Sequence, residues 1–435
     1  MATPRDASFR STLVAACAAT ALVTGAVTYL LTTRKRNPYP SVPVPPPQNA
    51  AHSSSSSSSN GSSYDNNVFV LLPHEHEEKM KQRLLTAQTR GDVESENETP
   101  RRSVTVRVPA TSANMGPGFD CLGCAVDLWT LVTVERADKF EIICQGEGAV
   151  DMPTDESNYV VEGLRAAFAA AGVKDIPTLK YTIDSHIPFA RGLGSSSAGI
   201  VAGIIAGLVL AGHRLPCWGS EALLQIAATI EGHPDNVAPA IYGGIQVGIH
   251  NGSRWVTERI PTPPGLQMVV FIPDFIGKTS TARGVLGPTV SRKDASFNVG
   301  RVAYLVNALC QCNLDCLRDG VGDALHQPAR AAALYPYLNP LIAAAEKAGA
   351  NACYLSGAGP TVMALTSGAS GDIFTQRVKE RSDMAVASAM MEAAKLCGVK
   401  GKVIITNISN EGARVVKVEP PFSTDRVGIT YKGDV

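Results

Sequence analysis

From Arg101 onward the chain predicts a mixed helix-and-sheet fold, and three observations carry that expectation. Composition changes there: a proline tract (NPYPSVPVPPP) and a serine run from Ser53 to Ser59 give way to apolar, patterned sequence. Segments such as SVTVRVPA alternate apolar and polar residues with the period of two of a half-buried strand. Others, such as NYVVEGLRAAFAAAG from Asn158 to Gly172, have helical spacing and stop at glycine. With 435 residues, 45% of them apolar and 18% charged, the chain can bury two domains or one large domain with appendages.

The first hundred residues are read separately. Leu13 to Thr33 carries no charge, has the length of a ~20-residue membrane span, and is followed by Arg34, Lys35 and Arg36. It is a candidate membrane anchor, and basic residues on that side would keep the downstream chain cytosolic. An organelle-targeting leader is the competing reading, and a cleaved secretory signal is disfavoured because the basic cluster follows the apolar run. The Pro/Ser-rich stretch cannot bury enough surface to offset ordering entropy and reads as a disordered linker. His74-Glu-His-Glu-Glu has metal-ligating side chains, but its Lys and Gln neighbours favour a solvated helical face.

Past Arg101, SVTVRVPA reads as a strand, TSANMGPGFDCLGCAVDLW as a loop, and LVTVERAD and FEIICQG as two further strands. The helix from Asn158 follows, then a strand in LKYTIDSHIP. That strand delivers the chain to PFARGLGSSSA, residues 188–198, which opens a helix rich in Gly and Ala. A helix N-terminus has unpaired N–H groups and a positive dipole end, and so suits an anion. Gly192 and Gly194 let the backbone close on phosphate oxygens, while Ser195, Ser196 and Ser197 add hydroxyls. The GK[ST] of a Walker A loop is missing. A single packed helix is expected between Asp294 and Arg318.

Charge excludes some partners. With 39 basic and 39 acidic residues the net charge is zero, so nothing global favours nucleic acid, and a small molecule is the expected ligand. The ten cysteines are scattered through apolar sequence and are expected as reduced, mostly buried thiols. Cys121 and Cys124 form a CxxC without a second pair or a nearby His to complete a zinc set.

Three further stretches accompany the phosphate-type loop in order: PATSANMGPGFD at 109–120, EGHPDNVAPAIYGG at 231–244 and YLSGAGPTVMAL at 354–365. Together the four motifs resemble the GHMP kinase superfamily, and PATSANMGPGFD and EGHPDNVAPA resemble its homoserine kinase branch in particular. The resemblance covers Arg101 to the C-terminus. It implies an α+β fold in two parts: an N-terminal ATP-binding domain of the ribosomal S5 domain 2 type at about 101–265, and a ferredoxin-like C-terminal domain at about 266–435. It also implies ATP-dependent phosphorylation of the side-chain hydroxyl of L-homoserine, in threonine biosynthesis, with magnesium. Relatives are often homodimers, and the catalytic part is expected in the cytoplasm or in the compartment addressed by the leader.

Residue by residue, the resemblance places the triphosphate on Pro188, Phe189, Ala190, Arg191, Gly192, Leu193 and Gly194, continuing through the serines to Ala198. Asn158 falls near the adenine. Ser196 or Ser197 is the magnesium-side hydroxyl, with Ser196 preferred. Where some relatives have an acidic ligand this chain has Gln225, so Glu231 takes that role. Asn114 is assigned the substrate hydroxyl and Asp120 the ammonium. Arg283 and Arg330 are assigned the carboxylate, a task suited to the guanidinium fork. Thr279 approaches the γ-phosphate, and His233 helps form the amino-acid pocket. With a loose transition state a strong base is not obligatory, so positioning and charge neutralisation are expected to carry catalysis. Two alternatives stand beside this: a mevalonate- or shikimate-type kinase, whose substrates lack the ammonium that Asp120 would meet, or a catalytically silent amino-acid-binding relative.

Overall fold

A computed structural model of the chain describes residues 101–212, 219–367 and 382–421. The candidate anchor at 13–33, the linker, the His74 cluster, Cys17 and Cys217 lie outside them. Among the described residues no helix is long and apolar enough to cross a membrane.

The first sheet is built around one long strand. β1 (Ser103–Ala113) pairs antiparallel with β2 (Leu122–Arg136) from Gly123 to Glu135, with one register shift at Pro109/Ala110, and the other edge of β2 is shared. Thr130–Arg136 meets β4 (Leu179–Ser185), while Leu122–Cys124 meets β5 (Ile245–His250), which in turn pairs with β6 (Trp255–Ile260). β3 (Glu141–Gly146) joins β4 in parallel, with helix α1 (Tyr159–Ala170) between them in sequence. The seventh strand, β11 (Arg414–Glu419), returns from the far end of the chain to flank β1.

β2 begins well before the strand expected at Leu131. Leu122 to Val126 is buried at every position, so the sequence shows no alternation there. Gly123 also lies against the HPDN motif itself, where a Cβ would come within 1.7 Å of the Asp235 carbonyl.

The Gly/Ala-rich segment forms α2 (Ser195–Leu210), buried from Ser197 to Leu210. Its composition is explained by α1. A Cβ on Gly203 would lie 2.1 Å from the Val160 carbonyl oxygen, and one on Gly163 would lie 2.2 Å from that of Ile200. The two helices touch backbone to backbone, and side chains would force them apart. α3 (Gly219–Glu231) and the short α4 (Val237–Tyr242) complete this half and carry the EGHPDN motif between them.

The second sheet has strand order β10–β7–β9–β8, all antiparallel. In chain order these are β7 (Gln267–Pro273), β8 (Ala352–Leu355), β9 (Val362–Thr366) and β10 (Gly401–Asn407). Helices lie between β7 and β8, and α10 (Ser382–Leu396) lies between β9 and β10, which is the ferredoxin-like βαββαβ pattern. β7 is apolar from Met268 onward because both faces are covered. Met268, Val270 and Ile272 enter the core shared with the first sheet, while Val269 and Phe271 pack with α9 (Leu338–Lys347) and α10.

Between β7 and β8 the chain forms α5 (Thr279–Gly284), α6 (Arg292–Cys310), a 3-10 turn at Leu314–Cys316, α7 (Leu317–Gly320) and α8 (Gln327–Ala333). The single helix expected to reach Arg318 thus stops at Cys310. Cys312 takes a left-handed backbone (φ 53°), and the Asn313 N–H bonds back to the Ala308 carbonyl, closing the helix. The cysteines also differ from expectation. All eight described are free, but only Cys124 and Cys353 are buried, and Cys310, Cys312 and Cys397 are exposed. Burial pushes the Cys121 thiol up to about 11 and Cys124 up to about 12, which opposes the thiolate that redox or zinc chemistry needs.

Candidate active site

A cavity of about 520 Å³ lies where the four motifs converge. One wall is the loop at the start of α2. Gly192 and Gly194 both have positive φ, and Gly194, which caps α2 without a side-chain hydrogen bond, has no room for a Cβ beside Thr111. The Ala190 N–H donates to Ser195 Oγ, and the Ser356 hydroxyl donates to the Gly192 carbonyl at 2.7 Å, tying the loop to SGAGP. The first N–H groups of α2 have no partner within the helix, and Gly192, Gly194, Ser195 and Ser196 line the cavity there.

Not every residue of 188–198 faces the cavity. Phe189 and Ala190 line it, but Leu193 is fully buried in the core, and Pro188 is buried too. Arg191, assigned to phosphate by position, instead donates to the carbonyls of Phe189, Pro273 and Asp274. It staples the loop to the end of β7. Ala198 lines a smaller adjoining pocket of about 30 Å³ together with Asn158. Asn158 is the N-cap of α1: its Oδ1 accepts from the Val160 N–H and its Nδ2 donates to the Pro153 carbonyl. It gives that pocket shape more than free hydrogen-bonding groups.

Ser196 and Glu231 meet as the resemblance implies. The Ser196 hydroxyl donates to Glu231 Oε1 at 3.1 Å, and Ser197, the other candidate for the magnesium-side hydroxyl, does so at 2.6 Å. This is an all-oxygen set at a phosphate loop, the donor type a hard divalent cation takes. Gln225 is elsewhere: both ends of its amide bond the Trp255 backbone, at 2.7 and 2.9 Å, so it secures α3 to β6.

The opposite wall is polar and charged. Asn114 and Asp120 both adopt positive φ at the ends of the SANMGPGFD turn. Asn114 Nδ2 donates to the Gly357 carbonyl and its Oδ1 accepts the Asp120 N–H, so this amide pins the turn to SGAGP while lining the cavity. Asp120 and Arg283 form a bidentate pair at 2.7 and 3.2 Å. Burial works against the Arg283 charge, but the Asp120 hydrogen bonds and charge outweigh it and raise its pKa. Arg330 is 2% exposed, and its hydrogen-bond partners are neutral: the Ala282 and Gly357 carbonyls and His326 Nδ1. Burial, then the charge of Arg283, lower its pKa. A buried guanidinium without a carboxylate is costly unless an anion joins it.

His233 lines the cavity with its Nδ1 2.5 Å from Asp235 Oδ1. Burial opposes its charge, but Asp235, Glu231 and Asp120 outweigh that and raise its pKa. Sequence reasoning missed Asp235, a 2% exposed carboxylate in the cavity, though HPDN offered it as a signal. It also missed Lys278, which lines the cavity beside Thr279 and whose ammonium has neither hydrogen-bond nor ion-pair partner among the described residues.

The chain matches the GHMP kinases N terminal domain over residues 158–244 and the GHMP kinases C terminal domain over 305–383. It is 39% identical over 313 residues to the homoserine kinase of Desulfitobacterium hafniense, covering 72% of this chain and 100% of the relative. It is 44% identical over 263 residues to that of Moorella thermoacetica, covering 60% and 87%. Among solved structures, the homoserine kinase of Cytophaga hutchinsonii superposes with a TM-score of 0.63 at 26% identity, covering 74% of this chain and 99% of that one. Order of motifs, fold and a likeness that spans most or all of these relatives' length agree, and the chain belongs to the homoserine kinase family of the GHMP kinases.

Proposed function

We propose that this chain transfers the γ-phosphoryl group of ATP to the side-chain hydroxyl of L-homoserine, giving O-phospho-L-homoserine on the route to threonine. The observation that carries the substrate is Arg330, a buried cation with only neutral partners, sharing one cavity with Asp120 and the phosphate-type loop. A zwitterionic amino acid supplies the missing anion to Arg330 and Arg283 and an ammonium to Asp120. Without ligand Asp120 and Arg283 satisfy each other, so a zwitterion exchanges one ion pair for two and leaves the net charge of the site unchanged.

In this reading ATP supplies the phosphoryl group, and the chain supplies position and charge. The glycine loop and the free N–H groups of Ser195 to Ser197 receive the triphosphate. Ser196 and Glu231, with Ser197 behind them, fit a magnesium ion. Asn114 orients the hydroxyl, and Thr279 approaches the transferring group. Lys278, whose ammonium has no partner among the described residues, offsets charge on that group as the bond loosens. The proton leaves late, and the His233–Asp235 pair is the titratable group at hand to receive it. Residues 13–33 as an anchor, and assembly as a homodimer, complete the proposal. Localising the chain with and without residues 1–100, and sedimentation of the purified protein, test these two.

The test of substrate is a panel of homoserine, mevalonate and shikimate assayed with the purified protein, ATP and magnesium. Turnover is expected with homoserine. Preference for mevalonate or shikimate would overturn the substrate, and nucleotide binding without turnover on any of them would mark a silent amino-acid-binding relative.

A further inference from the structure

We infer that His326 is a positioning residue whose neutral imidazole holds the Arg330 guanidinium in the orientation that receives the substrate carboxylate. This rests on the reading of Arg330 given above. An arginine has five N–H donors, and three of those on Arg330 are taken: Nε by the Ala282 carbonyl at 3.1 Å, and Nη1 by the Gly357 carbonyl and His326 Nδ1, both at 3.0 Å. The two on Nη2 are left for the cavity that Arg330 lines. Which way that edge faces is therefore decided by what grips the other three.

Of those three acceptors, His326 is the only side chain. The chemistry of its neighbours assigns its tautomer. Gly116 O accepts only, and lies 2.9 Å from Nε2, so Nε2 carries the proton; a guanidinium donates only, so Nδ1 is bare. The ring has no exposed surface and is stacked on Phe119, with centroids 5.3 Å apart and planes 28° apart. Gly116 and Phe119 belong to the turn that also carries Asn114 and Asp120. One imidazole thus fixes the carboxylate-binding arginine relative to the loop that holds the ammonium and the hydroxyl.

The same geometry makes the grip conditional on neutrality. A proton on Nδ1 would face the Arg330 N–H groups across 3.0 Å, cation against cation. The other charged groups facing the ring are Asp323, 3.6 Å from Nε2, and more remotely Asp120; Arg283 lies across the Phe119 ring. Asp323 Oδ2 is already engaged by the backbone N–H groups of His326 and Gln327. Burial, above all, holds the His326 pKa below its usual 6.5, so the imidazole is neutral at ordinary pH.

Three forms of the full chain test this. His326→Phe keeps the ring and its stack but removes the acceptor, whereas His326→Asn restores an acceptor at the Nδ1 position. For His326→Phe the homoserine KM is expected to rise ~10-fold or more, the loss of one charge-assisted hydrogen bond, with the ATP KM within about twofold. His326→Asn should recover most of that loss. In the wild type the homoserine KM should also climb as the pH falls through the lowered His326 pKa, somewhere under its usual 6.5, a limb that His326→Asn lacks while the His233 titration persists in both. An unchanged homoserine KM in folded His326→Phe, a parallel rise in the ATP KM, or a low-pH limb retained in His326→Asn would overturn the inference. If His326→Phe does not fold, the pH limb in the other two decides. A wild type that ignores homoserine would instead sink the functional reading, and is told apart by that control.

Discussion

The contact between α1 and α2 gives a prediction whose size follows from the structure. Gly203→Ala places a methyl group 2.1 Å from the Val160 carbonyl oxygen and 2.8 Å from the Leu164 nitrogen. Both are backbone atoms of a helix and cannot rotate away. Carbon needs ~3.5 Å, so the helices must part by about an ångström across a packed interior. Overpacking costs ~1–3 kcal/mol, and a 2.1 Å approach to immobile backbone puts this change at the upper end, ~2–3 kcal/mol, while Ala in place of Gly returns ~1 kcal/mol of helix propensity. A net loss of about 1–2 kcal/mol remains, or roughly 3–6 °C in Tm. Gly300→Ala is the control: it lies within α6 and a Cβ there meets nothing within 4 Å, so only the propensity gain of ~1 kcal/mol applies. Thermal unfolding of the two variants should therefore move in opposite directions from the wild type. Because α2 begins at the phosphate-type loop, Gly203→Ala should also raise the KM for ATP, while Gly300→Ala leaves it unchanged. A Gly203→Ala protein as stable as the wild type would refute the claim that close backbone contact selects glycine here.

Glu231→Gln keeps an acceptor for the Ser196 and Ser197 hydroxyls but removes the charge, so the fold should survive while magnesium-dependent turnover weakens by ~10–100-fold; a magnesium titration of kcat/KM reads this. The His233 pKa is raised, so its pairing with Asp235 stabilises fully below 6.5 and is lost as the pH rises through the raised value. The difference in Tm between the wild type and Asp235→Asn should accordingly be larger at pH 6 than at pH 9, and the opposite trend would contradict the assigned pair. Alkylation of the native protein followed by mass spectrometry should label Cys310, Cys312 and Cys397, which are exposed, and spare Cys124 and Cys353, which are buried. Labelling of Cys124 in the folded state would show that the interior of the first sheet opens.

What the sequence by itself determined is what depends on near neighbours. The loop at 188–198 was legible because its chemistry is backbone chemistry: Gly192 and Gly194 announce positive φ, and a helix start announces free N–H groups. The strands with clean alternation and the helix capped by Asn158 were legible for the same reason. Tertiary structure decided where side chains point. Arg191 has the residue type and position of a phosphate ligand, yet carbonyls at Pro273 and Asp274 claim its guanidinium. Asp120 and Arg283 meet from 163 residues apart, and Asn114 reaches the Gly357 carbonyl from 243. The early start of β2, the place of Asp235 and the grip of His326 on Arg330 all depend on segments far away in the chain. Backbone conformation is written in adjacent residues, whereas the direction of a long charged side chain is settled by whichever distant carbonyl, carboxylate or ring the fold brings within hydrogen-bonding reach.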